Sequence, residues 1–343
     1  MPDPASWIVL STTPRSFFHL PDGSFSRMTV FSGFRFPATL VVWMFLLAGC
    51  HPSARPVRVF SAAGFAPVWE AIREDCRRDL GIDLLVESSG SEVACRKLAE
   101  LGRPCDLLVL ADGDLVARLL RGQCSWRIDF ATDEVVLGIG ARASGVSDAE
   151  KNWPDVLLRD GVSLSRANES LAPIGYRTLL VLALQERLGN PGLQERLKAK
   201  SPSPVDDVER LAVLLKTGET DYAFLYRSTC LTHSIRFIPL DRRVNLGSPD
   251  EDYGRASVTF SRLKSGERKE VTVKGAPCTW TVTMPENCEN KEAALATIRW
   301  LLGQKAELLA QFGYSPIAPP KFFGGREAWQ ATGGNTVYSG PLK

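Results

Sequence analysis

Short apolar runs alternate with longer amphipathic segments along most of the chain. The apolar runs have the length of strands, and they predict strands at 57–60, 82–86, 106–110, 134–139, 222–226 and 279–283. The amphipathic segments predict helices that begin near Pro67 and Ser91, cover 177–188 and 206–216, and extend from 293 to 302. Strands and helices that alternate at this spacing are typical of βαβ units, so the predicted fold class is α/β with doubly wound sheets.

The same pattern divides the chain into two lobes. We predict a first lobe from residues 57–133 and 272–323, and a second lobe from residues 134–271. Residues 324–343 are polar and contain glycine, which predicts a loose tail. A Ser-Gly pair inside the stretch 264–270 predicts a solvated hairpin. Trp69, Tyr222 and Phe224 lie at apolar positions of these elements and are predicted to be core residues.

An apolar run, ATLVVWMFLLAGC, precedes the alternating region at residues 38–50. It is shorter than the roughly 20 residues that a membrane-spanning helix needs, and it follows the basic residue Arg35. A basic residue, an apolar run and small residues in this order are typical of a secretory signal. Its end, LAGC, resembles the lipobox of bacterial lipoproteins, so we predict a leader at 1–49, lipidation of Cys50 and a tether at 50–56. The alternative is a buried core helix with a chance cysteine.

Charge and residue counts exclude several functions. The formal net charge is +2 with both signs mixed along the chain, and no basic stripe indicates a nucleic-acid partner. Eight cysteines and an exported chain allow disulfides, but seven remain without Cys50, so at least one is unpaired within the chain. No C-x-x-C spacing indicates a redox or zinc site. His233 is the one histidine of the folded part, and we interpret it as structural.

Small-residue turns follow two successive predicted strands, at 61–64 and 88–91. In open α/β sheets the ligand lies beyond the carboxyl ends of the strands, where such turns are found. A helix that begins there offers unpaired N–H groups and the positive end of its dipole. Each turn alone is a helix cap, but two on one sheet edge favour an anion site.

Several stretches resemble the molybdate/tungstate-binding proteins of bacterial and archaeal ABC importers. The resemblance covers about 58–320 and is carried by VFSAAGFAPV (59–68), ESSGSEVACRKL (87–98), APIGYR (172–177), DDVERLAVLLKTGETDYAFLYRS (206–228) and YSPIAPP (314–320). It implies a type II periplasmic-binding fold, in which two α/β lobes joined by crossover strands close on the ligand.

The resemblance also implies a ligand site. Ser91 and Tyr226 match the family's ligand-binding serine and tyrosine, and Ile174 and Val208 match positions that give backbone N–H groups. Gly64 stands in the place of a further serine, so that hydroxyl is absent while the N–H remains.

The departures from the family pattern define the kind of site. Archaeal members place carboxylates at the positions of Ala172 and Val208, where they complete an octahedral metal centre. This chain has neither, so we expect a tetrahedral oxyanion held by neutral donors, with no cofactor and no metal beyond the oxyanion itself. Residue types do not exclude sulfate. Arg177 is interpreted as bracing the second lobe or starting its helix, with a counter-charge role as the alternative.

We therefore expect a monomeric, membrane-anchored receptor that faces the periplasm or the cell exterior. It would deliver molybdate or tungstate to an ABC permease and its ATPase, and it is not expected to be an enzyme. Two alternatives remain: a lipoprotein that senses an anion, and a thiol enzyme that uses an unpaired cysteine.

Overall fold

The structure is a computed structural model that describes residues 55–264 and 267–342. The predicted leader at 1–49, the predicted lipidation site Cys50 and the start of the tether lie outside the described residues. The strands are β1 Val57–Ala62, β2 Leu84–Ser89, β3 Leu107–Leu110, β4 Arg127–Asp133, β5 Val135–Ile139, β6 Leu164–Ser165, β7 Tyr222–Tyr226, β8 Phe237–Pro239, β9 Ser257–Lys264, β10 Glu267–Lys274, β11 Cys278–Thr283, β12 Ser315–Phe323 and β13 Val337–Gly340.

Helices connect most of these strands. They are α1 Ala66–Leu80, α2 Ser91–Ala99, α3 Asp114–Leu119, α4 Val146–Leu158, α5 Pro173–Arg187, α6 Leu193–Lys200, α7 Val208–Thr217, α8 Arg227–Thr232, α9 Lys291–Leu302, α10 Ala306–Gln311 and α11 Arg326–Thr332. A 3-10 turn, Ala63–Phe65, joins β1 to α1. Within 55–264 and 267–342, none of the helices has both the length and the apolar character to cross a bilayer.

Two sheets define two lobes. Lobe 1, residues 57–133 and 278–340, contains a seven-stranded sheet in the order β13-β12-β4-β11-β3-β1-β2. Lobe 2, residues 135–274, contains a four-stranded sheet in the order β6-β7-β5-β8 and the antiparallel hairpin β9-β10. The chain crosses between the lobes after β4 and again before β11. This is the predicted α/β fold of two lobes joined by crossover strands.

The centre of lobe 1 follows from its sequence. All four residues of β3 are buried and apolar, as expected for a strand covered on both faces. Helix α1 has a proline in its first turn and ends at Gly81, whose φ of 68° suits the left-handed cap. The carboxyl ends of the parallel strands β1, β2 and β3 therefore lie at one edge of the sheet, and the turns that follow β1 and β2 face lobe 2.

Aromatic packing links this sheet edge to lobe 2. The buried Phe65 ring lies 5.5–5.7 Å from the rings of four neighbours, Trp69, Phe130, Trp280 and Tyr314. Trp280 also packs edge-to-face on Tyr226 of lobe 2, with 5.9 Å between ring centroids. The predicted core residues Trp69, Tyr222 and Phe224 are buried, which confirms their interpretation.

The predicted loose tail is wrong for most of its length. The segment forms α11 and β13, and β13 pairs in parallel with β12 at the edge of the lobe 1 sheet. Gly324, at φ 155°, lies between β12 and α11, and its N–H donates to the carbonyl of Gly340 at the end of β13. The polar composition was misleading because an edge strand can form with only part of its surface buried. The second segment of lobe 1 was predicted to start at residue 272. Residue 272 lies instead in β10 of lobe 2, and lobe 1 resumes with β11.

Every cysteine in the described part of the chain is free. Six are buried and Cys288 is half-buried. The described fold therefore uses hydrophobic packing where disulfides were considered possible.

We predict that Phe65→Ala lowers the free energy of unfolding by about 3–5 kcal/mol, because it removes the ring around which four aromatic side chains pack. Denaturant unfolding followed by tryptophan fluorescence measures the change. Leu85→Ala is the control: Leu85 is 59% exposed on β2 of the same lobe, and its truncation is expected to cost less than about 0.5 kcal/mol. Equal losses for the two variants would contradict the central role of Phe65.

Candidate functional site

A small cavity lies between the two lobes. The centre of a water molecule can move within about 20 Å³ of this cavity. Adding the radius of the water molecule itself gives a roughly spherical void about 3 Å in radius. Lobe 1 contributes Ala62, Ala63, Gly64, Gly90, Ser91, Ala111 and Trp280, and lobe 2 contributes Ala172, Pro173, Ile174, Asp207, Val208 and Tyr226. The void has the size of one small ligand.

Three helices begin at this cavity. Ser91 is the first residue of α2, Ile174 is the second of α5 and Val208 is the first of α7. The first N–H groups of a helix have no partner within the helix, and its dipole places partial positive charge there. The Asp207 side chain accepts a 3.1 Å bond from the Arg210 N–H, which caps α7. The cavity is therefore suited to a negatively charged ligand.

A backbone hydrogen bond fixes the Ser91 hydroxyl. Its oxygen accepts a 3.0 Å hydrogen bond from the N–H of Ala111, which follows β3, and the residue is buried. The other small-residue turn does not supply a hydroxyl. Ser61 accepts a 3.0 Å bond from Trp69 Nε1 and does not line the cavity.

The Tyr226 hydroxyl is held in a similar way from lobe 2. Its oxygen accepts a 2.8 Å bond from Arg177 Nη1, and the Arg177 guanidinium lies 5.7 Å from the Tyr226 ring centroid. Burial raises the pKa of Tyr226 well above its usual range, so the hydroxyl keeps its proton.

Trp280 packs tightly against position 64. A Cβ added to Gly64 would lie 3.3 Å from Trp280 Cη2 and 3.5 Å from Val208 Cγ1. A side chain at position 64 would require the indole to shift by a few tenths of an ångström, and with glycine this part of the cavity offers backbone and an aromatic wall. The Gly64 carbonyl accepts a 2.6 Å bond from Tyr314, which fixes the turn.

Arg177 reaches both lobes. It lies in the second turn of α5, is 4% exposed, and donates through Nη1 to the Ala111 carbonyl as well as to Tyr226. Its Nη2 lies 4.0 Å from Asp112 Oδ1, and the neighbouring Tyr176 donates to the other Asp112 oxygen. Arg177 was expected to brace lobe 2 or to start its helix. The helix begins four residues earlier, at Pro173, and the bond to lobe 1 was not predicted.

Close backbone approaches require glycine at two positions, one between the lobes and one within lobe 2. A Cβ on Gly90 of lobe 1 would lie 2.3 Å from the Leu171 carbonyl oxygen of lobe 2. Within lobe 2, a Cβ on Gly175 would lie 2.5 Å from the carbonyl carbon of Asn168. The second contact explains the glycine of the Pro-Ile-Gly-Tyr-Arg stretch: it lets α5 pack on the preceding loop.

A buried ion cluster lies beside the cavity. Glu92, next to Ser91, accepts a 3.3 Å bond from Arg262 of β9, and Arg118 of α3 lies 3.6 Å away. Glu92 is fully buried, and its Oε1 atom has no hydrogen-bond partner within the described part of the chain. The Tyr176 ring stacks on Phe260 at 5.8 Å, so the hairpin that carries Arg262 is packed against α5.

A ligand-sized cavity between two α/β lobes with crossover strands defines a solute-binding protein. The chain belongs to the bacterial extracellular solute-binding protein family, whose model matches residues 57–315. A solute-binding protein of Petrotoga mobilis is 31% identical over 254 residues, which cover 70% of this chain and 77% of that protein. The molybdate/tungstate-binding protein WtpA of Pyrococcus abyssi is 26% identical over 278 residues, which cover 72% and 79%.

Solved structures share the fold. The periplasmic molybdate-binding protein of Azotobacter vinelandii aligns with a TM-score of 0.53 at 18% identity, covering 75% of this chain and 98% of that one. The sulfate-binding protein SubI of Mycobacterium tuberculosis aligns with a TM-score of 0.56 at 18% identity, covering 77% and 88%. The predicted family and fold class are both confirmed.

The structure brings the predicted site residues together. All five line the one cavity: Gly64, Ser91, Ile174, Val208 and Tyr226. Sequence reasoning missed Ala111 and Trp280, which line the same cavity, and the Glu92–Arg262 pair beside it. Glu92 and Arg262 are 170 positions apart, so no local pattern could have linked them.

His233 lies away from the cavity. Its Nε2 is 2.8 Å from Glu209 Oε2, a contact that links the end of α8 to α7. Among the residues that the structure describes, no group of three or more His, Cys, Asp or Glu side chains is arranged to hold a metal ion.

The Glu92 cluster generates a pH-dependent prediction. Burial raises the pKa of Glu92 from 4.5 to about 7, against the opposing effects of Arg262 and Arg118, while Asp112 adds to the rise. A carboxyl whose pKa is higher in the folded protein binds more protons when folded, so its contribution to stability falls as pH rises through this window. Between about pH 5 and pH 8, the unfolding free energy of the wild type should fall by about 3 kcal/mol relative to Glu92→Gln.

Denaturant unfolding at several pH values measures this difference. Glu100→Gln is the control, because Glu100 lies just after the same helix and pairs with Arg96 at a half-exposed position. A wild-type-minus-variant difference that stays constant with pH would contradict the raised pKa.

Proposed function

We propose that this protein captures molybdate or tungstate between its lobes and delivers it to an ABC importer. The observation that carries the proposal is the convergence of three helix N-termini and two hydroxyl groups on one ligand-sized cavity. An oxyanion is the ligand class that these donors suit, because each anion oxygen accepts hydrogen bonds from N–H and O–H groups.

Neutral donors are sufficient for useful affinity. A hydrogen bond to a charged group contributes roughly 1.5–3 kcal/mol, and micromolar binding requires about 8 kcal/mol. Ser91, Tyr226 and the N–H groups of Gly64, Ile174 and Val208 form the proposed donor set. The positions that carry carboxylates in archaeal members are Ala172 and Val208 here, which favours a tetrahedral guest held only by hydrogen bonds.

The relatives support this class of ligand. The name of WtpA in Pyrococcus abyssi gives molybdate and tungstate as its ligands, and its similarity spans both lobes of this chain. A putative molybdenum-binding ABC transporter protein of Haloferax volcanii is 28% identical over 81% of this chain.

The proposal includes the location and the partners. The run at 38–50 acts as a lipoprotein signal, Cys50 carries the lipid anchor, and residues 50–56 tether the monomeric receptor to the outer face of a membrane. Its partners are a permease and an ATPase of the importer. Docking on the permease releases the anion by favouring separated lobes.

The raised pKa values of the buried cysteines argue against a thiol enzyme. Burial raises the pKa of Cys105, Cys124 and Cys278 to about 12, so these thiols stay protonated at neutral pH. The reactive form of cysteine is the thiolate, which these surroundings disfavour.

We expect molybdate and tungstate to bind the purified full chain with micromolar or tighter affinity in isothermal titration calorimetry, with sulfate as the competing ligand. Tyr226→Phe should weaken tungstate binding by about 10–100-fold, because it removes one donor to a charged ligand. If neither molybdate nor tungstate binds, the proposal is contradicted. If sulfate binds more tightly than both, sulfate replaces them as the proposed ligand.

Tyr222→Phe is the matched control for that variant. Tyr222 lies on the same strand and donates a 2.7 Å bond to the Ser144 carbonyl, away from the cavity. Removal of the Tyr222 hydroxyl should lower the free energy of unfolding slightly and leave tungstate affinity unchanged.

Closure generates a separate prediction. Gly90→Ala places a methyl group where the Leu171 carbonyl approaches, so the lobes cannot meet as they do here. Tungstate affinity should fall by at least about 100-fold, while the melting temperature of the ligand-free protein changes by only a few degrees. Gly325→Ala is the control, because its Cβ meets nothing within 4 Å and its φ is −71°. Full affinity in Gly90→Ala would show that binding does not need this contact.

A further inference from the structure

A continuous chain of hydrogen bonds joins the two hydroxyl groups of the cavity across the lobe boundary. The Ala111 N–H donates to Ser91 Oγ at 3.0 Å, and the Ala111 carbonyl accepts from Arg177 Nη1. The same Arg177 nitrogen donates to Tyr226 Oη at 2.8 Å. One residue of lobe 1, Ala111, and one guanidinium nitrogen of lobe 2 therefore connect Ser91 to Tyr226: the Ala111 N–H bonds one side and its carbonyl the other.

This chain determines what each hydroxyl can offer a ligand. A hydroxyl has one proton to donate, and its oxygen also accepts hydrogen bonds. Both oxygens accept a bond from behind, from Ala111 in one case and from Arg177 in the other. The proton of each hydroxyl is then free for the cavity that both residues line, and donation to the oxygen strengthens its O–H as a donor.

Arg177 has no direct access to the ligand. It is buried, it does not line the cavity, and Asp112 lies 4.0 Å from its Nη2 atom. Burial would raise the pKa of Asp112, but Arg177 and Arg118 outweigh it and hold that pKa below its usual value. The Arg177 charge therefore faces a carboxylate that it shares with Arg118. Arg177 acts on the cavity only through the orientation of the groups to which it is hydrogen-bonded.

We propose that Arg177 is a positioning residue, which fixes Tyr226 as a donor to the anion and ties this orientation to closure through its bond to the Ala111 carbonyl. The bond to Ala111 joins the lobes, so the complete chain forms only when they meet. This inference rests on the proposed function, since it concerns the donors of the proposed anion site. The competing possibility is a brace that holds lobe 2 together and has no effect on the donors.

A double-mutant cycle separates these possibilities, with tungstate as the probe and calorimetry as the measurement. Arg177→Met should weaken binding by about 10–100-fold in the wild-type background, because the Tyr226 proton is no longer directed. In the Tyr226→Phe background the same substitution should weaken binding by less than about threefold, because the hydroxyl that Arg177 positions is already absent.

Equal losses in the two backgrounds would overturn the proposal and leave Arg177 as a brace. Unchanged affinity in Arg177→Met would overturn it as well. If Arg177→Met does not fold, Arg177→Lys replaces it in the cycle: it keeps the buried charge, but one shorter amine does not reach both acceptors, so the same non-additivity is expected. Equal affinity of Arg177→Lys and the wild type would overturn the proposal by assigning the effect to charge alone.

Two controls complete the experiment. Arg187→Met removes an exposed arginine from the last turn of the same helix and should leave tungstate affinity unchanged. Binding by the wild type is the second control: if the wild type does not bind tungstate, the proposed function fails before the role of Arg177 is tested.

Discussion

An anion that leaves water must find hydrogen-bond donors for its oxygens, and the donors proposed in this protein are divided between its two lobes. Ser91 and the Gly64 turn come from lobe 1, while Ile174, Val208 and Tyr226 come from lobe 2. The site is therefore complete only when both sheet edges face each other at short range. The parallel strands, the glycine turns and the helix starts at those edges all contribute to that geometry.

The parts of the site that could be predicted from the sequence are those that local stretches specify. Ser91 opens a helix after a strand, Val208 follows a capping aspartate, and Tyr226 ends a strand, so each has a short-range pattern and a counterpart in a known family. Ala111 and Trp280 have no such pattern. They reach the cavity because strands that are distant in sequence, β3 and β11, pair side by side in the lobe 1 sheet.

Strand ends show the same limit. The second strand was predicted at 82–86 but spans Leu84–Ser89, since its register with β1 extends pairing to the polar residues after Val86. The tail was misjudged for a related reason: β13 gains its hydrogen bonds from β12, and one side of an edge strand remains open to water. Hydrophobic patterns predict which segments are buried, but partners decide where a strand ends.

The seven-stranded sheet is discontinuous in sequence, and this has a consequence for the order of assembly. Residues 135–274 form lobe 2 without interruption, so that lobe can complete its pairing as soon as it has been synthesised. Lobe 1 cannot, because β11 separates β3 from β4 in the sheet and comes some 150 residues later. During biosynthesis β3 must wait without β11, and β4 without both β11 and β12, so the edges of β3 and β4 stay open to wrong partners until those strands arrive.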